Sequence, residues 1–188
     1  MTKITKVAAA LGIVAGLAVS ALPLTSYAAA EDVLVTITIN STLGTEEAAC
    51  DTASTSGAAG VQLDASCAYS SSSNSGLAIT IKDKDAVLNL VHTNGTDTIV
   101  PIAAQEAATG VLTQNGWGWK FVNLGGTATA AIQGNRDRFS PITASDVAVV
   151  NATTAGTVTG DFMFSVRTPA TQAPGAYSDT VVVTTTAQ

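Results

Sequence analysis

Asp32-Val33-Leu34-Val35-Thr36-Ile37-Thr38-Ile39-Asn40 is the stretch that decides the fold. Val33, Val35, Ile37 and Ile39 recur every second residue, opposite Leu34, Thr36, Thr38 and Asn40. Side chains alternate between faces only in an extended chain, so this spacing predicts a strand with one strongly apolar face. The same period returns at Val61, Leu63, Ala65, Cys67 and Tyr69, and again at Leu77, Ile79 and Ile81. Ser70 to Gly76 reads as a turn between those two strands. Asn94-Gly95 predicts a hairpin turn joining 87–93 to 96–102, because both residues tolerate positive φ. Further strands are expected at 117–121, 127–132, 147–150, 158–166 and 177–186, the last opened by Pro174-Gly175. Ala103 to Ala108 is the single candidate for a helical turn. About ten strands separated by turn residues predict an all-β, single-domain antiparallel sandwich of Greek-key, immunoglobulin-like type.

Upstream of the first strand, the chain carries an export address. Lys3 and Lys6 precede the uncharged apolar run Val7 to Leu22, Pro23 breaks it, and Ala28-Ala29-Ala30 supplies small residues for a signal peptidase. The expected cut follows Ala30, with Ala28 as the second choice, leaving a mature domain of 31–188. The apolar run is short for a membrane span, which needs about 20 residues. Losing Lys3 and Lys6 moves the formal charge from −6 to −8. An acidic chain without a Lys/Arg-rich face is a poor ligand for nucleic acid. Export places the chain outside the cytoplasm, at the cell surface, in a fimbrium or coat, or in the periplasm.

The same compartment permits a disulfide between Cys50 and Cys67, the two cysteines present. They flank a Ser/Thr/Gly/Ala-rich loop, and closing a loop of this size is worth about 3 kcal/mol in the chain-entropy model. Neither cysteine belongs to a Cys-x-x-Cys pair or neighbours a histidine, so a staple is expected rather than a reactive thiol.

Catalysis finds little to work with. The chain has one histidine, His92, and no G-x-S-x-G elbow, so a hydrolytic triad is not expected. The position of His92 beside Asn94-Gly95 predicts an exposed hairpin residue. Asp83 and Asp85 alternate with Lys82 and Lys84, which reads as a solvated strand edge. A calcium site on Asp83, Asp85 or Asp97 lacks the spaced Asp/Asn/Gly pattern of a dedicated loop, so no metal and no cofactor are expected. Asn135 to Arg138 reads as a surface loop with local ion pairs. Trp117, Trp119 and Phe121 share one strand face above Gly116 and Gly118, and two readings stand. They form the core, or Trp117 and Trp119 make a stacking platform for a glycan.

The closing segment, Pro174-Gly175-Ala176-Tyr177-Ser178-Asp179-Thr180-Val181-Val182-Val183-Thr184, resembles the terminal strand of secreted bacterial immunoglobulin-like surface proteins, spore-coat-protein-U-like and fimbrial subunits among them. Gly175 is fourteenth from the C-terminus, similar to the glycine that opens the last strand of chaperone–usher pilins. The alternating strand before Cys50 is likewise similar to a pilin donor strand. Ala187 departs from the aromatic usual at that position, and Cys50 and Cys67 are closer together than typical pilin cysteines. The resemblance implies a non-enzymatic structural subunit that associates with its own kind or with other surface subunits. Val33, Val35, Ile37 and Ile39 would then be the assembly strand, added to a neighbour's sheet edge. The same strand is equally readable as the first strand of its own sandwich. An adhesive, glycan-binding module using Trp117 and Trp119 is the alternative function.

Overall fold

The computed structural model describes residues 33–43, 52–108 and 110–188; within 33–43 the side chains described are those of Val35, Thr36 and Ile37. The expected leader and Cys50 lie outside these residues. Eleven strands are present among them and no helix: β1 (Val33–Leu43), β2 (Thr52–Gly57), β3 (Gln62–Ser73), β4 (Leu77–Asp83), β5 (Leu90–His92), β6 (Thr98–Ile99), β7 (Gly116–Gly126), β8 (Ala130–Ile132), β9 (Val147–Ala152), β10 (Gly156–Arg167) and β11 (Gly175–Ala187). Among the described residues, no helix is long and apolar enough to cross a membrane.

The strands form two sheets. The larger runs β2-β1-β11-β4-β9-β8, with β5 also pairing β11 and carrying β6; the smaller runs β3-β10-β7. Their apolar faces enclose one core, an arrangement consistent with a β-sandwich. The period-2 pattern explains why. Leu63, Ala65, Cys67 and Tyr69 on β3 face inward, as do Leu77, Ile79 and Ile81 on β4 and Phe162, Phe164 and Val166 on β10. Tyr69, Phe121 and Phe162 meet edge-on at the centre, with centroids 5.0–6.2 Å apart, the geometry that aromatic quadrupoles favour.

Three local expectations change. The serine run does not turn at once, because β3 continues to Ser73 and buries Ser71. The Asn94-Gly95 turn forms, with Gly95 at φ 75, but its strands stay short. Beyond Ile99 the chain leaves to cover the edge of β7: Trp117 donates its N–H to Val100 and Ile102 donates to Trp117. Ala103 to Ala108 forms no helix. There Gln105 and Glu106 are spent on tertiary bonds, to Gly134, Asn135, Ser140 and Thr113.

One notch in the larger sheet matters below. β11 pairs β4 over 181–187 and β5 over 177–178, so Asp179 and Thr180 pass between the two partners. The chain bridges that notch through 84–89, anchored where Lys84 donates its backbone N–H to Thr180.

Candidate functional site

β1 is first in the described chain yet lies inside its sheet, between the edge strand β2 and β11. It pairs β11 in parallel along its whole length, from Val33↔Gly175 to Leu43↔Thr185, and β2 antiparallel over 33–38. Every other strand pair among the described residues is antiparallel. Val35 and Ile37 are 2% and 0% exposed and reach the shared core, while Thr36 is half-buried on the opposite face. Burying an aliphatic side chain of this size is worth about 1.5–3 kcal/mol. The side chains of Val33 and Ile39 lie outside the described residues.

Trp117, Trp119 and Phe121 are all fully buried. The indole N–H of Trp117 donates to Leu88 O at 2.9 Å and that of Trp119 to Pro141 O at 3.2 Å. Arg136, read from the sequence as part of a loop with local ion pairs, lies over Trp119 instead, 5.8 Å from the ring centroid. Burial lowers the pKa of its guanidinium. The glycan platform expected as an alternative for Trp117 and Trp119 is corrected here, since neither ring has a face open to a sugar. Gly116 and Gly118 do allow close backbone approach, but the chain's own segments use it. A Cβ at Gly116 would lie 2.8 Å from Val100 O, and one at Gly118 2.9 Å from Ser140 O. The tryptophan emission of the folded protein is expected to be blue-shifted and insensitive to iodide. A maximum typical of hydrated indole would contradict this packing.

His92 is half-buried rather than an exposed hairpin residue. Its Nδ1 accepts the Asn94 N–H at 3.0 Å, which leaves Nε2 to donate to Pro174 O at 3.1 Å. Both ring nitrogens are thus engaged, and the ring stands edge-on to Tyr177 at 4.8 Å. Gly175 makes room for it: its φ is +129, and a Cβ there would lie 2.1 Å from His92 Nε2. The glycine that opens the closing strand is required by this contact. Cys67 is buried and disulfide-bonded, while Cys50 lies outside the described residues. Non-reducing peptide mapping is expected to recover Cys50 and Cys67 in one linked pair; two free thiols would refute the staple.

The carboxylates of Asp83, Asp85 and Asp179 converge at the notch, one oxygen of each within 4.8 Å of the others. Asp83 follows Leu77, Ile79 and Ile81 on the inner face of β4 and is 2% exposed. Its Oδ1 accepts the N–H groups of Asp85 and Ala86 at 2.9 and 2.7 Å. Asp179 lies between Tyr177 and Val181 in the inward register of β11, and its Oδ1 accepts the Thr180 N–H at 2.6 Å. Desolvation pushes the Asp179 carboxyl up to about 7; the Thr180 N–H opposes this, while the charges of Asp83 and Asp85 and a side-chain hydrogen bond shared with Asp83 add to it. Asp83 thus does not belong to the solvated edge expected from the alternation with lysines, whereas Lys84 and Asp85 are exposed as that reading has them. Asp179 was not singled out in the sequence, although its place between Tyr177 and Val181 marks an inward position. Asp97 stays apart, accepting from Asn94 Nδ2 at 2.6 Å. Compared with known proteins, the chain matches no family model and no curated protein sequence.

Proposed function

We propose that this chain is an exported, non-enzymatic surface protein, a subunit of a pilus, fimbria or coat, which assembles by donating β1 to the sheet of a neighbour. The observation that carries this reading is the placement of β1: inserted between two strands, yet at one end of the described chain and parallel to the last strand. Such a strand can leave without unthreading anything. What it vacates is a slot about 10 Å wide between β2 and β11, two ladder spacings, lined by main-chain donors and acceptors on both sides. An identical segment from a second copy fits that slot with the same apolar anchors, Val35 and Ile37. In this reading the fold is an immunoglobulin-like Greek-key sandwich, and residues 1–30 direct its export. The chain's own β1 then caps the slot before assembly.

Size-exclusion chromatography of the mature chain, beginning at Glu31, tests the proposal against a chain lacking 31–40. The intact chain is expected to form concentration-dependent oligomers and the truncated one to form none on its own. An intact chain that stays monomeric at every concentration, including after refolding at high concentration, would overturn it.

A further inference from the structure

We infer that Asp83 and Asp179 share one proton and with it form a pH-sensitive latch, which ties the 84–89 segment to β11 and opens as the pH rises. A side-chain hydrogen bond joins the two carboxyls. Ionised carboxylates only accept, so that bond requires a proton. The rest of each group is already engaged. Asp83 is 2% exposed, and its Oδ1 takes the N–H groups of Asp85 and Ala86, while Asp179 Oδ1 takes that of Thr180. The Oδ2 atoms of both are buried with no other partner among the described residues. A second charge there would be desolvated and would face the first. The two acids therefore stay together only while one of them is neutral.

The proton holds the segment that bridges the notch. Ala86 has φ +66, a left-handed conformation that alanine seldom adopts, and Asp83 holds its N–H together with that of Asp85. Asp83 thus fixes the segment, and Asp179 fixes Asp83 to β11. No cation among the described residues faces the pair. Asp85, on the segment itself, is exposed and adds negative charge, and Lys84 beside it is exposed too. Lys82 leaves for Asp146 at 3.3 Å, and Lys120 lies over the Phe139 ring. From β1 comes Ile37; from β5 come Val91 and His92, whose ring is engaged by Asn94 and Pro174. The core-facing side chains of β3 and β10, Leu63 and Phe162 among them, are uncharged.

Linkage sets the direction of the pH dependence. The Asp179 carboxyl is raised to about 7, so above about pH 4 the folded chain keeps a proton that the unfolded chain has lost. The latch's contribution is complete below that range and is lost as the pH passes about 7. Urea unfolding of the mature chain, with amide exchange corrected for the intrinsic rate at each pH, tests this. From about pH 5 to about pH 8 the unfolding equilibrium constant is expected to rise at least about tenfold, and the Lys84, Asp85 and Ala86 amides to lose protection. In Asp179→Asn the side-chain amide donates to Asp83 in the proton's place, so both responses should vanish. Asp146→Asn, outside the pair, should respond as wild type does. A wild type whose stability or segment protection does not fall over this range would overturn the inference, as would Asp179→Asn with the wild-type response. Carboxyl-carbon NMR of the wild type decides the case if Asp179→Asn fails to fold. One aspartate titrating near neutrality supports the latch, and all of them titrating below about pH 5 refutes it.

Discussion

The mature chain carrying Ile37→Asp is expected to remain folded while its association is lost. Ile37 is fully buried, and its register partner on β11 is Asp179. The substitution therefore puts a carboxylate into a dry apolar site next to another acid. An ionised group there costs several kcal/mol, and a neutral one still loses the apolar transfer energy of the isoleucine. The cost is capped by the alternative of releasing β1, which takes the new charge into water. The remaining strands, β2 to β11, keep the aromatic core, so cooperative melting should persist at a lower temperature. In association there is no such escape, because every acceptor slot meets the same charge. A loss of about 3 kcal/mol corresponds to more than a hundredfold weaker binding. Analytical ultracentrifugation paired with circular dichroism checks both halves. A variant that unfolds outright would make β1 an indispensable internal strand.

Phe162→Ala is expected to be the most damaging single truncation of the core, costing about 3–5 kcal/mol. Phe162 is fully buried on the central strand of the smaller sheet. It touches Tyr69 at 5.7 Å, Phe121 at 5.0 Å and Trp119 at 6.3 Å, centroid to centroid. Its removal leaves a cavity that three rigid neighbours cannot collapse into, since Trp119 is tethered to Pro141 O and Tyr69 to the Thr185 hydroxyl. Domain stabilities are about 5–15 kcal/mol, so this is a large fraction of the total. Urea unfolding should show a lower midpoint with an unchanged slope. A midpoint within error of wild type would mean that the two sheets do not meet at this ring.

Local periodicity made much of this architecture legible. The alternation at 61–69, 77–81 and 158–166 predicts which side chains point inward, and they do except for Val61, which lies just before β3 and is exposed. Pairing was less legible, because it depends on contacts between residues far apart in sequence. Nothing in Val33 to Asn40 says that its partner is the C-terminal strand or that the pairing is parallel. The Trp117 and Gly118 pattern was ambiguous for a similar reason: the glycines promise close approach but do not name what approaches, and it is the 100–102 and 140 segments of the same chain.

The carboxylate cluster was half legible. Asp83 continues the inward period of Ile79 and Ile81, just as Asp179 continues that of Tyr177 and Val181, so the pattern marks both as core-side. The flanking lysines argued for solvent instead. Lys82 lies on the other face of the strand, with Asp146, so charge alternation in sequence did not become charge neutralisation in space.

The most direct test of strand donation is a cross-link between chains. Thr36 and Ser178 are register partners on the outer face of adjacent strands, at a spacing of about 4.8 Å that a disulfide accommodates. A chain with Thr36→Cys is mixed with a chain carrying Ser178→Cys, and the two are unfolded and refolded together at high concentration. The products are then mapped by mass spectrometry. Donation predicts a heterodimer in which residue 36 of one chain is bonded to residue 178 of the other. The contradicting result is a 36–178 bond that forms within the double-cysteine chain but never between chains.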